Sequence, residues 1–93
     1  MQHKALFELG QIVATSGALH ALQVTGDDPL AYIQRHVCGD WGDVCKEDAQ
    51  ENELSLKAGF RILSAYTLGN HTQLWIITEA DRSSTCLLLP EEY

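Results

Sequence analysis

The sequence predicts an α+β domain: two to three N-terminal helices packed on a C-terminal three-stranded antiparallel meander, with residues 11–15 as a candidate fourth strand. Three observations carry this. Up to Gly59 the apolar residues recur at helical spacing and are punctuated by capping residues. From Phe60 the period changes to runs rich in β-branched and aromatic residues, "FRILSAYTL", "TQLWIITEA" and "STCLLLP". The links between these runs, "GNH" and "DRS", are short and of turn composition, so neighbouring runs pair antiparallel, and no βαβ rhythm interrupts them.

In chain order, "QIVAT" has strand-like β-branched content. Thr15 or Ser16 then caps a short helix carrying Ala18, Leu19 and Leu22, which stops near Gly26. The segment "GDDPLAYIQRHVCG" gives a second helix. Asp28 is its cap, Pro29 suits the first turn, Leu30, Ile33 and Val37 share one face, and Gly39 fits a left-handed end. After "GDWGD", "VCKEDAQENELSLKAG" reads as a third helix with Asp43 as its cap. Acids crowd its first half, Lys57 stands in its last turn and Gly59 ends it, in accord with the helix dipole. Its apolar stripe is thin (Cys45, Ala49, Leu54, Leu56), so one broad face is solvated. In the meander Leu87 and Leu89 oppose Cys86 and Leu88, and Trp75 and Ile77 oppose Leu74 and Ile76. Both faces are apolar, so either helices cover both or one face is an interface, in a homodimer or with a partner.

The 93 residues make one domain, 1–93. With 45% hydrophobic and 20% charged residues it can bury a modest core and needs no cofactor, metal or disulfide to fold. The net charge is −7, and it is uneven. Between residues 27 and 53 stand Asp27, Asp28, Asp40, Asp43, Glu47, Asp48, Glu51 and Glu53 against Arg35 and Lys46, a net −6. Such a balance argues against direct nucleic-acid binding, which needs cations to displace counterions from phosphates. It suits docking on a basic protein surface. No basic segment followed by a long apolar run marks a leader, and no stretch approaches a membrane span, so a cytoplasmic protein without membrane association is expected. Three cysteines without C-x-x-C spacing read as free thiols.

Three constellations could carry chemistry. His36, Cys38 and Cys45 with Asp40 and Asp43 are metal-ligand types, but their spacing matches neither the paired units of zinc sites nor the alternating oxygens of a calcium loop, so no metal is assigned. Asp40 and Asp43 could work as an acid/base pair, but the short chain offers little cleft to split their pKa values. A better use of "CGDWGD" is recognition: Trp41 on a glycine-bounded turn, rimmed by Asp40, Asp43, Glu47, Asp48 and Glu51, has the make-up of an interface anchor. Whether Trp41 points inward or outward is open at this level. The third constellation is His71, Glu79 and Arg82 at hairpin ends, beside Asp81 and with Tyr66 on the preceding strand. It offers the acid, base and phosphate contact of a small metal-independent ribonuclease or toxin-like enzyme. No nucleophile elbow or phosphate loop is present.

The blocks "GDWGDV…ED…NE" and "LSAY…WIITEADRSST…LLPEEY" resemble a family of small, mostly uncharacterised proteins encoded on bacterial plasmids and integrative elements. The resemblance runs from "LGQIVAT" to the C-terminus, and the WIITEADRS-type block is its most specific part. Cys38 departs from it, standing where a small polar residue is expected. The resemblance brings no established activity. It implies a mobile-element setting, in which small acidic proteins block host defence or regulate partners.

Overall fold

The computed structural model describes residues 4–93. The element order is β1 (Gln11–Ala14), α1 (Ser16–Thr25), α2 (Pro29–Val37), α3 (Lys46–Ala58), β2 (Ile62–Thr67), β3 (Gln73–Thr78) and β4 (Ser84–Leu88), closed by a 3₁₀ turn at Pro90–Glu92. The strands form one sheet in the order β1-β4-β3-β2. The expected meander is β2-β3-β4, antiparallel throughout, and the candidate fourth strand joins it parallel to β4, with Ile12 opposite Thr85 and Ala14 opposite Leu87.

The caps explain where the helices start. Thr15 accepts a hydrogen bond from the Ala18 N–H at 3.0 Å and Asp28 one from Leu30 at 3.0 Å, the N-terminal pattern that small oxygen-bearing side chains provide. Ala18, Ala21 and Leu22 of α1 and Ile33 of α2 then pack on one sheet face, against Tyr66, Leu74, Ile76 and Leu87. Two expected core residues lie outside. Leu19 and Leu30 are exposed, because the buried arcs run through Ala18–Ala21–Leu22 and Ile33–His36–Val37 instead. On the opposite face Tyr93 packs edge-on to Trp75 at 5.7 Å, and Arg61 lies over the Tyr93 ring.

Helix α3 corrects the sequence reading in two ways. Its N-cap residue is Cys45, not Asp43, and no side chain caps it. Its buried residues are Asn52 and Ser55, whereas Cys45 and Leu54 of the expected apolar stripe are exposed. The reason is its seat: α3 packs against β2, an outer strand of the sheet, and an outer strand presents unpaired main-chain groups. Asn52 satisfies them. Its amide donates to the Leu63 carbonyl at 2.7 Å and accepts from the Leu63 N–H at 3.1 Å, as a neighbouring strand would. Two residues on, Ala65 donates to the Trp41 carbonyl at 3.1 Å and accepts from the Asp43 N–H at 2.6 Å. The chain thus closes this edge itself.

Candidate functional site

The "CGDWGD" segment lies along that closed edge. Gly39 and Gly42 both adopt positive φ, +90° and +74°. At Gly42 a side chain is also excluded sterically, since a Cβ would strike the Ala65 carbonyl and lie 2.6 Å from Cδ1 of Tyr66. Trp41 turns inward, 7% exposed, donating from Nε1 to the Glu53 carboxylate at 2.9 Å and stacking on Phe7. The direction of Trp41, open in the sequence, is inward, so its indole is not available as an exposed anchor. Asp40 remains outside, gripped by Arg35 Nε at 2.7 Å, and this hydrogen bond holds its pKa below the ordinary carboxylate value. The Arg35 guanidinium in turn lies 4.5 Å from the centre of the Tyr66 ring, whose hydroxyl donates to the Asp40 carbonyl at 2.6 Å. Between them Gln34, Arg35, Cys38 and Asp40 line a hollow of about 170 Å³.

The remaining acids of the expected contact set are brought together near this segment. Asp43 accepts from the Thr67 hydroxyl at 2.7 Å and is exposed, and Glu47, Asp48 and Glu51 are exposed on the first two turns of α3. Among the described residues the only salt bridge is Arg35–Asp40, so these four carboxylates face solvent without a cation. Glu47 and Asp48 complement the helix dipole, but Asp43, ahead of the helix, and Glu51, in its second turn, have no such local account.

Beneath the segment lies a polar chain that the sequence reading missed. His36 is fully buried, with Nδ1 2.6 Å from the Ser64 hydroxyl and Nε2 2.9 Å from that of Thr78. Thr78 lies 2.7 Å from the Thr85 hydroxyl, which donates to the Leu9 carbonyl at 2.7 Å. A hydroxyl has one proton, so the polarity of the chain follows from its far end. Thr85 spends its proton on Leu9, Thr78 must therefore donate to Thr85, and His36 must donate to Thr78 from Nε2. Burial disfavours the imidazolium, so Nδ1 carries no proton and accepts from Ser64. Phe7 meets its ring edge-on at 5.2 Å and Trp41 at 6.1 Å. A Ser–His pair is thus present, but Ser64 and His36 are each 0% exposed, so no substrate atom reaches the hydroxyl. The signal for this chain was the spacing Ile33–His36–Val37, which puts an imidazole on the core face of α2, and the Ser64, Thr78 and Thr85 hydroxyls on the inward side of three paired strands.

The buried imidazole gives a pH dependence. Burial disfavours the cation and lowers the His36 pKa from 6.5 to about 4. Between those values the unfolded chain takes up a proton that the folded chain refuses. His36 thus contributes its full stability above pH 6.5 and loses it as pH falls toward 4, a span of roughly 3 kcal/mol. Urea unfolding at pH 7 and pH 4 should show the native protein losing about that much more than a His36→Gln variant; equal losses would contradict the buried neutral imidazole.

The other constellations are not assembled. His71 stands in the β2–β3 turn and Glu79 and Arg82 in the β3–β4 turn, so the length of β3 separates them, roughly 25 Å for eight extended residues. They do not form one site. His71 occupies a left-handed turn position, φ +68°. Arg82 is a clamp: its guanidinium donates to the carbonyls of Ser55 at 3.0 Å, Phe60 at 2.7 Å and Glu79 at 3.1 Å, tying the β3–β4 turn to the end of α3. Of the metal-ligand types, His36 has both nitrogens engaged, Cys38 accepts from Gln34, Cys45 stands at the start of α3, and Asp40 and Asp43 are bonded as above. Among the described residues no helix is long and apolar enough to cross a membrane. Comparison of the chain with family models, curated proteins and solved structures gave no match.

Proposed function

We propose that the protein is a non-enzymatic, acidic protein-interaction module that docks on a cationic surface of another protein. The observation that supports this is the set of exposed carboxylates held without a cationic partner among the described residues: Glu47, Asp48 and Glu51 on α3, and Asp43 on the segment just ahead of it. Asn52 ties α3 to β2 and Glu53 ties it to Trp41, so the backbone that carries the charges is anchored to the sheet and needs no ordering on binding. Trp41 and the Arg35–Asp40 pair set the course of the preceding segment, and Asp40 offers a further exposed carboxylate at its rim. Charge of this sign favours rapid, salt-sensitive association with a basic patch. The resemblance to proteins of plasmids and integrative elements suggests the setting: a bacterial cytoplasm, with a host-defence or plasmid-maintenance factor as partner. Covering that factor's nucleic-acid-binding surface would inhibit or regulate it.

The test is affinity capture from nuclease-treated host lysate, comparing native bait with the variant Glu47→Gln, Asp48→Asn, Glu51→Gln. Neutralisation should leave the fold intact, checked by circular dichroism, because all three side chains are exposed. A protein retained by the native bait, released by salt and lost from the variant is the expected result. Identical captured sets from both baits would remove the reading.

A further inference from the structure

The two outer strands of the sheet are treated in opposite ways. β2 is closed by Asn52 and by the Trp41–Asp43 segment, but β1 is left open. In the parallel pairing with β4, Gln11 and Thr15 turn their N–H groups inward, to Ser83 and Leu87. By alternation Ile12 and Ala14 turn theirs outward, and among the described residues nothing pairs with them. Ile12 and Val13 are 47% and 40% exposed. Proteins guard such edges by short length, charge, proline or a bulge; β1 is short, four residues, but carries none of the others.

We infer that β1 is a self-association edge: two copies pair β1 with β1 antiparallel about a two-fold axis through Val13, joining two four-stranded sheets into one of eight. Three features favour a second copy as the occupant. The register is self-complementary. Centring the pair on Val13 sets Ile12 opposite Ala14 of the other copy, and these are the residues whose main-chain groups point outward. Each such pair exchanges two hydrogen bonds, and the two Val13 side chains meet at the axis on one face of the sheet.

Charge is the second feature. Residues 9–26, which hold β1 and α1, contain no Asp, Glu, Lys or Arg in a chain of net charge −7. The carboxylate seated against the β1–α1 junction, Glu92, is bonded by the Thr15 hydroxyl and the Leu89 N–H at the strand's end, away from Val13. A like-charged copy can therefore approach here, and exposed Leu19 and Val24 belong to the same uncharged stretch. The third feature is placement. Helix α3 packs on β2, three strand spacings from β1, about 14 Å. That exceeds a Debye length of about 8 Å, so pairing through β1 keeps the two acidic helices apart and leaves both free.

Sedimentation velocity of the full chain, from micromolar to near-millimolar concentration, reads the result. The native protein should shift from one protomer to two. Val13→Lys sets two cations face to face and should abolish the shift, as should Val13→Glu, and an equimolar mixture of the two variants should restore a dimer. In the native protein, amide exchange at Ile12 and Ala14 should slow about tenfold or more with rising concentration, a readout that needs no folded variant. A native protein that stays monomeric, a dimer that persists in both folded variants, or exchange at Ile12 and Ala14 that ignores concentration would each overturn the inference.

Discussion

Replacing His36 with alanine should lower the unfolding free energy by about 4 kcal/mol, a large share of what a domain of this size possesses. Two effects add. The fully buried imidazole fills space between Phe7, Trp41 and the sheet, and its removal leaves a cavity. Its two hydrogen bonds also vanish, leaving Ser64 without an acceptor and Thr78 without a donor inside the core. His36→Gln, which keeps a donor and an acceptor, should cost less than the alanine variant. The order of donors makes a second test available. Thr85→Val removes the acceptor of the Thr78 proton and the donor to the Leu9 carbonyl while conserving volume, so it should cost about 2 kcal/mol without a cavity. Urea denaturation measures all three. A His36→Ala cost below about 1 kcal/mol would mean that the chain of hydrogen bonds does not hold α2 to the sheet.

Gly42→Ala should be comparably severe, about 3 kcal/mol or more, although it adds a single methyl group. Part of the cost is backbone strain at φ +74°. The larger part is collision with the Ala65 carbonyl and the Tyr66 ring, which cannot yield without breaking the pairing of Trp41 and Asp43 with Ala65. Gly26 is the control. It has the same φ, +74°, but its missing Cβ meets nothing within 4 Å, so Gly26→Ala should cost only the strain, about 1 kcal/mol. Equal losses at the two glycines, in thermal or urea unfolding, would show that the close approach at Gly42 is not what fixes the "GDWGD" segment.

The parts of the fold legible in the sequence are those written in local chemistry. Thr15, Asp28 and Gly59 mark helix ends because capping depends on a residue and its immediate neighbours. The meander was legible because short turns leave antiparallel pairing as the only connection. What was not legible depends on distant partners. Asn52 reads as a solvated helix residue until the edge of β2 lies beside it, and then its amide replaces a strand. Asp43 reads as a helix cap, but its N–H is drawn to Ala65 and its carboxylate to Thr67. His36 is of metal-ligand type, but its spacing assigned it no metal and left it without a role. Only the assembled sheet shows both nitrogens taken by hydroxyls from two strands. The acids Glu47, Asp48 and Glu51 were legible as a face because helical spacing alone places them, and the structure adds the rigid mounting beneath them.

The claim that the acidic face of α3 meets a partner is tested most directly by site-specific photo-crosslinking in living host cells. A photoreactive amino acid is placed at Gln50, exposed among Glu47, Asp48 and Glu51, and in a second strain at Gln23, exposed on uncharged α1. The expected result is a discrete higher-mass adduct from position 50, weakened when Glu47 and Glu51 are neutralised, and no matching adduct from position 23. No adduct at position 50, or the same adduct from both positions, would contradict it.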